Sequence, residues 1–134
     1  MADRVVVTTK RSITMALARY VGFSLDCDDP VALADFYVKL LGMEISYTSD
    51  EFVYLGGPGN GIGFVKVAKY LPPTWPSSDV PKQAHMELGV DDLEAGEAAV
   101  LGIGATKPDH QPQPDRWRVL LDPAGHPFCI SASV

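Results

Sequence analysis

Apolar and polar side chains alternate from Tyr20 to Cys27, with the two-residue period of a half-buried β-strand. Asp28-Asp29-Pro30 follows, and it supplies a carboxylate cap with a proline at the first helical position. Apolar residues then recur at helical spacing until Gly42, namely Leu33, Phe36, Tyr37, Leu40 and Leu41. The pattern predicts a strand and then an amphipathic helix that ends at Gly42.

Three short apolar stretches come after this helix, at residues 44–47, 52–55 and 62–67. Short runs bounded by glycine and proline are typical of strands, and the glycine-rich residues 56–61 predict a turn between the last two. These glycines lack the lysine and the following helix of a phosphate-binding loop, which favours a hairpin connection. The first half of the chain is therefore predicted to be β-α-β-β-β.

A proline-rich segment at residues 69–83 separates this unit from a second one. Its four prolines exclude a regular helix or a central strand, so it is predicted to be a linker on the surface. Alternation resumes at residues 85–90, Asp91-Asp92 caps a helix from Leu93 to Leu101, and residues 117–121 and 128–131 predict further strands. Because the acidic caps lie 63 residues apart and the turn prolines Pro58 and Pro123 lie 65 apart, we expect each half to repeat one β-α-β-β-β unit.

Length and composition narrow the possible functions. The 134 residues are 46% hydrophobic, enough for one core, so Cys27 and Cys129 are expected to be free thiols. A net charge of −6 without clustered Lys and Arg argues against a nucleic-acid partner. No apolar run approaches the roughly 20 residues of a membrane span, and residues 1–20 lack the apolar centre of a secretory signal, so the expected location is the cytoplasm.

The predicted organisation is an extended N-terminal arm at residues 1–18 and one domain at residues 19–134. Within the domain, the repeats cover residues 19–68 and 84–133. The segments "DCDDPVALADFYVKLLGMEI", "HMELGVDDLEAGEAAV" and "LLDPAGHPFCI" resemble the glyoxalase-like subgroup of the vicinal oxygen chelate superfamily. The resemblance covers Arg19 to Ser133. It implies an α+β fold in which two βαβββ repeats form a curved mixed sheet around a cleft, the glyoxalase/bleomycin resistance/dihydroxybiphenyl dioxygenase fold.

The same resemblance implies a homodimer, because related proteins often pair modules to complete their clefts. It does not select an activity. The superfamily contains isomerases, epimerases, ring-cleaving dioxygenases, thiol transferases and non-catalytic drug-sequestering proteins, and a fold shared by so many functions cannot decide among them.

In metal-using relatives, the ligands lie at the start of strand one, near the end of strand four, at the start of strand five and on strand eight. The resemblance places His85 at the strand-five position, but it places Gly22, which has no donor, at the strand-one position. The strand-eight position falls on Cys129, and its counterpart falls on Phe64, with Lys66 two residues further on. Since His85 and Cys129 give only two donors, we expect no bound metal. A shift of one or two residues would add Glu87 or Asp26, which leaves a divalent ion as the alternative.

Strand alternation predicts which side chains line the inner face of the sheet: Gly22, Ser24, Asp26, Phe64, Lys66, His85, Glu87, Cys129 and Ser131. Met86, Leu88, Phe128 and Ile130 are predicted to face the helices. Beside His85, Glu87 and Lys66 form either a catalytic acid–base set or a buried ion pair. Cys129 lies on a strand away from any helix N-terminus, so we expect its thiol to pack as a small apolar group.

Aromatic residues are predicted to wall a pocket for a flat organic molecule, with some rings belonging to the core instead: Trp75, Trp117, Phe64, Tyr54 and Phe52. His126 is expected at the rim of the cleft and His110 in solvent. The first hypothesis is a metal-independent protein that binds a partly aromatic small molecule. The alternatives are a lyase or isomerase using His85, Glu87 and Lys66 or a recruited divalent metal, and a structural dimer whose cleft is vestigial.

Overall fold

The computed structural model describes residues 16–132, so most of the predicted N-terminal arm at residues 1–18 lies outside the described residues. Two helices and seven strands follow in the order β1 (Gly22–Cys27), α1 (Pro30–Leu41), β2 (Ile45–Thr48), β3 (Phe52–Leu55), β4 (Gly61–Lys66), β5 (Met86–Gly89), α2 (Leu93–Gly102), β6 (Arg118–Leu121) and β7 (Pro127–Ser131). The predicted bounds of these elements agree with the observed ones to within two residues.

Each helix begins at the predicted acidic cap. The Asp29 carboxylate accepts a hydrogen bond from the Ala32 amide at 3.1 Å, and the Asp92 carboxylate accepts one from the Ala95 amide at 2.8 Å. Gly42 ends α1 in the left-handed conformation, with φ at 68°, where a glycine carries no steric penalty. Within residues 16–132, neither helix has the length and apolar character that a bilayer crossing requires.

The strands form two mixed sheets. The first sheet has the order β1-β4-β3-β2, with β1 parallel to β4 and the other pairs antiparallel. The second sheet has the order β5-β7-β6, with β5 parallel to β7 and β6 antiparallel to it. The predicted α+β fold is confirmed, but the second repeat is shorter than the first. A single bridge between Thr106 and Leu121 stands where the additional strand was expected.

A single core joins the two sheets through α1. Phe36 of α1 lies 6.2 Å from the Phe128 ring of the second sheet, and Tyr37 stacks at 5.3 Å on Phe64 of the first sheet. The core draws on both sheets, including Val53, Leu55, Phe64, Leu120, Phe128 and Ile130. We call the opposite face of each sheet, which is directed away from this core, its open face.

This packing corrects one prediction and supports another. Phe64 is fully buried against α1, so its predicted place on the inner face of the cleft is wrong. Lys66, two residues further along β4, shares the face of Phe64 because strand side chains alternate. By contrast, Phe128 and Ile130 face the helices as predicted, and Met86 and Leu88 pack against the same core.

A buried hydrogen bond connects the two halves of the chain. The Tyr37 hydroxyl donates to Oδ2 of Asp122 at 2.7 Å, and Oδ1 of Asp122 accepts from the amides of Ala124 at 2.9 Å and His126 at 3.0 Å. Asp122 is only 3% exposed, and this burial raises the pKa of its carboxyl. The hydrogen bonds from Tyr37 and the two amides oppose that rise, because they stabilise the ionised form.

A second polar group fastens α2 to its sheet. The buried guanidinium of Arg118 on β6 bonds to the carboxylates of Glu94 at 2.7 Å and Glu97 at 3.1 Å, and its Nε donates to the Pro114 carbonyl at 2.9 Å. The buried guanidinium therefore has hydrogen-bonding partners on both α2 and the loop that precedes β6.

We predict that Tyr37→Phe lowers the free energy of unfolding by about 1 to 3 kcal/mol at pH 7, because a buried carboxylate loses a donor. Because the pKa of Asp122 is raised in the folded state, its contribution to stability is lost as the pH rises through that pKa. Tyr37→Phe removes a hydrogen bond that lowers this pKa, so the pKa of Asp122 rises further in the variant. The destabilisation should therefore be smaller near pH 4 than at pH 7, as measured by urea unfolding. Tyr20→Phe, on a side chain that is 62% exposed, serves as the control. Equal effects of the two variants would contradict the prediction.

Candidate functional site

Three potential donors meet on the open face of the second sheet. Glu87 of β5 pairs in register with Cys129 of β7, and His85 immediately precedes β5 on the side of the strand that Glu87 shares. A nitrogen of His85, a carboxylate oxygen of Glu87 and the Cys129 sulfur all lie within 4.8 Å of one another. The sequence placed these residues on one face, and the structure brings their functional atoms together.

His85 and Glu87 form a close pair at the solvent-facing side of this cluster. Nε2 of His85 lies 2.6 Å from Oε2 of Glu87, with the side chains 35% and 71% exposed. A carboxylate only accepts, so the imidazole donates its Nε2 proton in this contact. The pair can therefore hold a proton at a defined position, although it is too exposed to count as a buried ion pair.

Lys66 does not join this pair. It lies on β4 of the first sheet, in register with the core residue Cys27, and its side chain is exposed. The predicted acid–base set of His85, Glu87 and Lys66 is therefore wrong as regards Lys66. In the structure, Cys129 completes the group around His85 and Glu87.

The Cys129 thiol is shielded from solvent. The residue is 8% exposed, and burial raises the pKa of the thiol. The charge of Glu87 acts in the same direction, whereas the charge of Lys82 lowers the pKa. In the core, burial raises the pKa of the Cys27 thiol to about 11. Both cysteines are free, as the sequence predicted, and Cys129 stays protonated at neutral pH unless a partner stabilises its thiolate.

A cavity of about 170 Å³ opens beside this cluster, and we call it the Trp cavity. Both predicted tryptophan walls line it, together with His85 and Cys129; the complete lining is Trp75, Lys82, His85, Pro112, Trp117, Val119, Pro127 and Cys129. The Trp75 ring in turn contacts the His110 ring at 5.5 Å, so His110 is not merely solvated. Sequence reasoning missed Lys82, because it lies in the proline-rich segment, where no periodicity assigns a direction to a side chain.

A larger cavity of about 460 Å³ lies between β1 and the proline-rich segment. Apolar residues make up most of its wall, including Phe23, Leu25, Leu71, Pro73, Val80 and Pro81, and Asp26, Lys82, Tyr70 and His126 are among its polar lining. His85, Glu87 and Cys129 do not line it. The larger cavity is therefore separate from the donor cluster.

His126 belongs to this larger cavity and does not line the Trp cavity. Its Nε2 lies 2.7 Å from the Asp26 carbonyl and 3.1 Å from the Tyr70 hydroxyl, which itself donates to the Ala124 carbonyl at 2.9 Å. A carbonyl only accepts, so Nε2 carries a proton and the ring is fixed by structural hydrogen bonds. His126 and His85 also line a small cavity together, and the expected place of His126 at the rim of the cleft stays a prediction.

Tyr54 lies on the open face of the first sheet. Its ring stacks on Phe52 at 5.9 Å, Phe52 lies 6.1 Å from Tyr47, and the Tyr54 hydroxyl donates to the Val21 carbonyl at 3.3 Å. We call these three rings the aromatic ladder. These rings do not line the Trp cavity. The predicted aromatic lining is therefore divided, because Trp75 and Trp117 line the cavity whereas Tyr54 and Phe52 lie on the first sheet.

The aromatic ladder also explains the glycine at the strand-one position. A Cβ atom on Gly22 would collide with the Tyr54 hydroxyl and would lie 2.6 Å from the Gly61 carbonyl oxygen. Position 22 therefore lacks both a donor and the space for one. Among residues 16–132, the group of His, Cys, Asp and Glu side chains that could hold a metal ion lies on the second sheet.

Comparisons with known proteins agree with this architecture. A family model described as a glyoxalase-like domain matches residues 22–131. A glyoxalase/bleomycin resistance protein/dioxygenase family enzyme from Burkholderia phytofirmans superposes with a TM-score of 0.64 at 22% identity, covering 87% of this chain and all of that one. A possible glyoxalase from Bacillus cereus gives a TM-score of 0.63 at 16% identity, with 87% of this chain and all of that one covered.

A mutant fosfomycin resistance protein from Listeria monocytogenes, in complex with Mn(II) and 1S,2S-dihydroxypropylphosphonic acid, gives a TM-score of 0.64 at 14% identity. The match covers 89% of this chain and 93% of that one. At these identities, the likeness to solved structures concerns the fold alone. No curated protein matches the sequence. Since the family model spans most of the chain, the protein belongs to the glyoxalase-like domain family.

Proposed function

We propose that this protein binds a small organic molecule with a flat, partly aromatic body in the Trp cavity. The observation that carries the proposal is that both tryptophans of the chain line one cavity with His85. Indole rings supply large apolar contact areas, and pockets for organic ligands combine such walls with few polar groups. Here His85 and Lys82 provide the charged or titratable groups of the wall.

Binding without a metal accounts for two further features. Position 22 has no space for a donor, and Cys129 carries a thiol whose pKa is raised. A protein that sequesters its ligand needs neither a complete metal shell nor a reactive thiol. The two cavities count against the hypothesis of a structural dimer with a vestigial cleft, because such a cleft would be filled by its own side chains.

The chain offers a direct test, since its only tryptophans line the proposed site. We predict that 4-nitrobenzyl alcohol, a neutral flat probe, quenches tryptophan fluorescence saturably. His85→Ala should weaken this binding by about tenfold, which corresponds to about 1.4 kcal/mol, while changing the unfolding free energy by less than about 2 kcal/mol.

N-acetyltryptophanamide provides the control for collisional quenching, which rises linearly with probe concentration. Linear quenching of the protein as well would contradict a binding site at the tryptophans. A large loss of stability in His85→Ala, with unchanged affinity for the probe, would make His85 structural.

One observation favours a second candidate, an enzyme of the lyase or isomerase type with a divalent ion. His85, Glu87 and Cys129 offer nitrogen, oxygen and sulfur donors within 4.8 Å of one another, a mixture that suits zinc. Such an ion supplies Lewis-acid polarisation of a substrate oxygen. His85 and Cys129 also line the Trp cavity, so a bound molecule would lie beside the donors.

For this candidate we predict binding of one equivalent of Zn²⁺, with an affinity that rises between pH 6 and pH 8. The sign follows from Cys129, because its raised thiol pKa means that a proton must leave before sulfur can bind the ion. Substituted Co²⁺ should give a thiolate charge-transfer absorption that disappears in Cys129→Ser and persists in Cys27→Ala. An affinity that is independent of pH and of Cys129 would count against the site.

We also propose that the protein forms a homodimer through the open face of the first sheet. Tyr47 of β2 is 56% exposed and pairs with Tyr54, and the aromatic ladder continues from Tyr47 across β3. Exposed apolar surface of this kind is typical of an interaction site. In the family, pairing of modules completes the cleft, and the two open faces of this chain point away from their shared core.

We predict that Tyr47→Asp converts the dimer into monomers, because a carboxylate would have to lose its water at the interface. Sedimentation equilibrium measures the change. Val31→Asp, an exposed apolar position on α1, provides the matched control and should leave the dimer intact. A monomeric native protein would overturn the proposal.

A further inference from the structure

Lys82 supplies the only full positive charge in the wall of the Trp cavity that does not depend on protonation of a histidine. The remaining lining consists of the two indoles, His85, Cys129 and three apolar residues, with no carboxylate among them. The chain as a whole carries a formal net charge of −6. The cavity wall, with one lysine and no acidic residue, therefore has the opposite sign of charge.

The charge of Lys82 acts on the site itself. It lowers the pKa of the Cys129 thiol, opposing the effects of burial and of Glu87. The side chain is half-buried, and none of the ion pairs found among residues 16–132 includes it. The Glu87 carboxylate is held by His85 at 2.6 Å. Lys82 is therefore a partly desolvated cation that has no carboxylate within ion-pair distance in the described part of the chain.

Lys82 also lines the larger cavity, where the situation differs. Asp26 belongs to that wall, so an anion there would meet a carboxylate as well as the ammonium group. The wall of the Trp cavity contains no carboxylate, and the nearby Glu87 carboxylate is paired with His85 at 2.6 Å. Of the two cavities, the Trp cavity is thus the one whose charge favours an anion.

We propose that the ligand of the Trp cavity carries an anionic group, a carboxylate or a phosphonate, that pairs with Lys82 while its flat body lies against Trp75 and Trp117. This inference rests on the proposed binding function and adds the chemical class of the ligand. A charge-assisted hydrogen bond is about twice as strong as a neutral one, and partial burial of Lys82 reduces its screening by solvent.

The test compares three probes that share one ring: 4-nitrobenzoate, 4-nitrobenzylphosphonate and the neutral 4-nitrobenzyl alcohol. Tryptophan fluorescence reports their binding, with EDTA present so that a bound metal cannot supply the positive charge. We expect at least one of the anions to bind about tenfold more tightly than the alcohol at low salt, and the difference to shrink as the salt concentration rises. Tighter binding of the phosphonate than of the benzoate would indicate that the ligand's anionic group is doubly charged. Tighter binding of the benzoate would indicate a carboxylate.

Variants at Lys82 separate a role for its charge from a role in folding. Lys82→Met should reduce the ratio of anion to alcohol affinity to about one, and Lys82→Arg should keep the preference. Lys39→Met makes the same change of charge on the surface of α1, where Lys39 pairs with Asp35, and it should leave the ratio unchanged.

The outcomes distinguish this inference from the function on which it rests. If all three probes bind equally well to the wild-type protein, or if Lys82→Met keeps the preference for the anion, the role of Lys82 is overturned and the binding function stands. If no probe quenches saturably, both fail.

Discussion

The structure depends on the contact of α1 with both sheets, which the hydrogen bond from Tyr37 to Asp122 completes. A carboxylate that is 3% exposed is costly to bury, and here it accepts from one hydroxyl and two backbone amides. The two amides belong to Ala124 and His126, so the same carboxylate that binds the first half also shapes the turn before β7. Since β7 begins at Pro127, this turn determines the register that places Cys129 opposite Glu87. The core interaction therefore positions the candidate site.

Residue periodicity predicted which side chains share a face, and it succeeded where the alternation was clear. On β5, apolar Met86 and Leu88 flank the acidic Glu87, so only one orientation buries the apolar pair. On β4 the first four residues, Gly61 to Phe64, are all buried, and no polar position indicates the outer face. The glycines of this run are covered by Tyr54 and Phe52, which makes both faces apolar. The misplacement of Phe64 and Lys66 follows from that absence of contrast.

Other parts of the site depend on contacts between distant segments, which no local pattern encodes. The Trp cavity forms where the proline-rich segment, the loop before β6 and the strands of the second sheet meet, and Lys82 points into it from a segment without periodicity. Likewise, Gly22 is predictable as a missing donor from the sequence alone. That Tyr54 occupies the space above it becomes evident only from the packing across β1, β4 and β3.

The two repeats therefore differ in the side chains that they present on the open faces of their sheets. On the first sheet, Tyr54 covers glycines at positions 22 and 61, and its ring stacks on Phe52. On the second sheet, the shorter repeat leaves room beside β6 and β7 for two indoles, a lysine and the three donors around His85. A symmetric pair of half-sites would need donors in both repeats at matching positions. Because position 22 of the first repeat is a glycine beneath the Tyr54 ring, we propose that recognition rests on the second repeat, with the charge of Lys82 and the faces of the indoles as its main determinants.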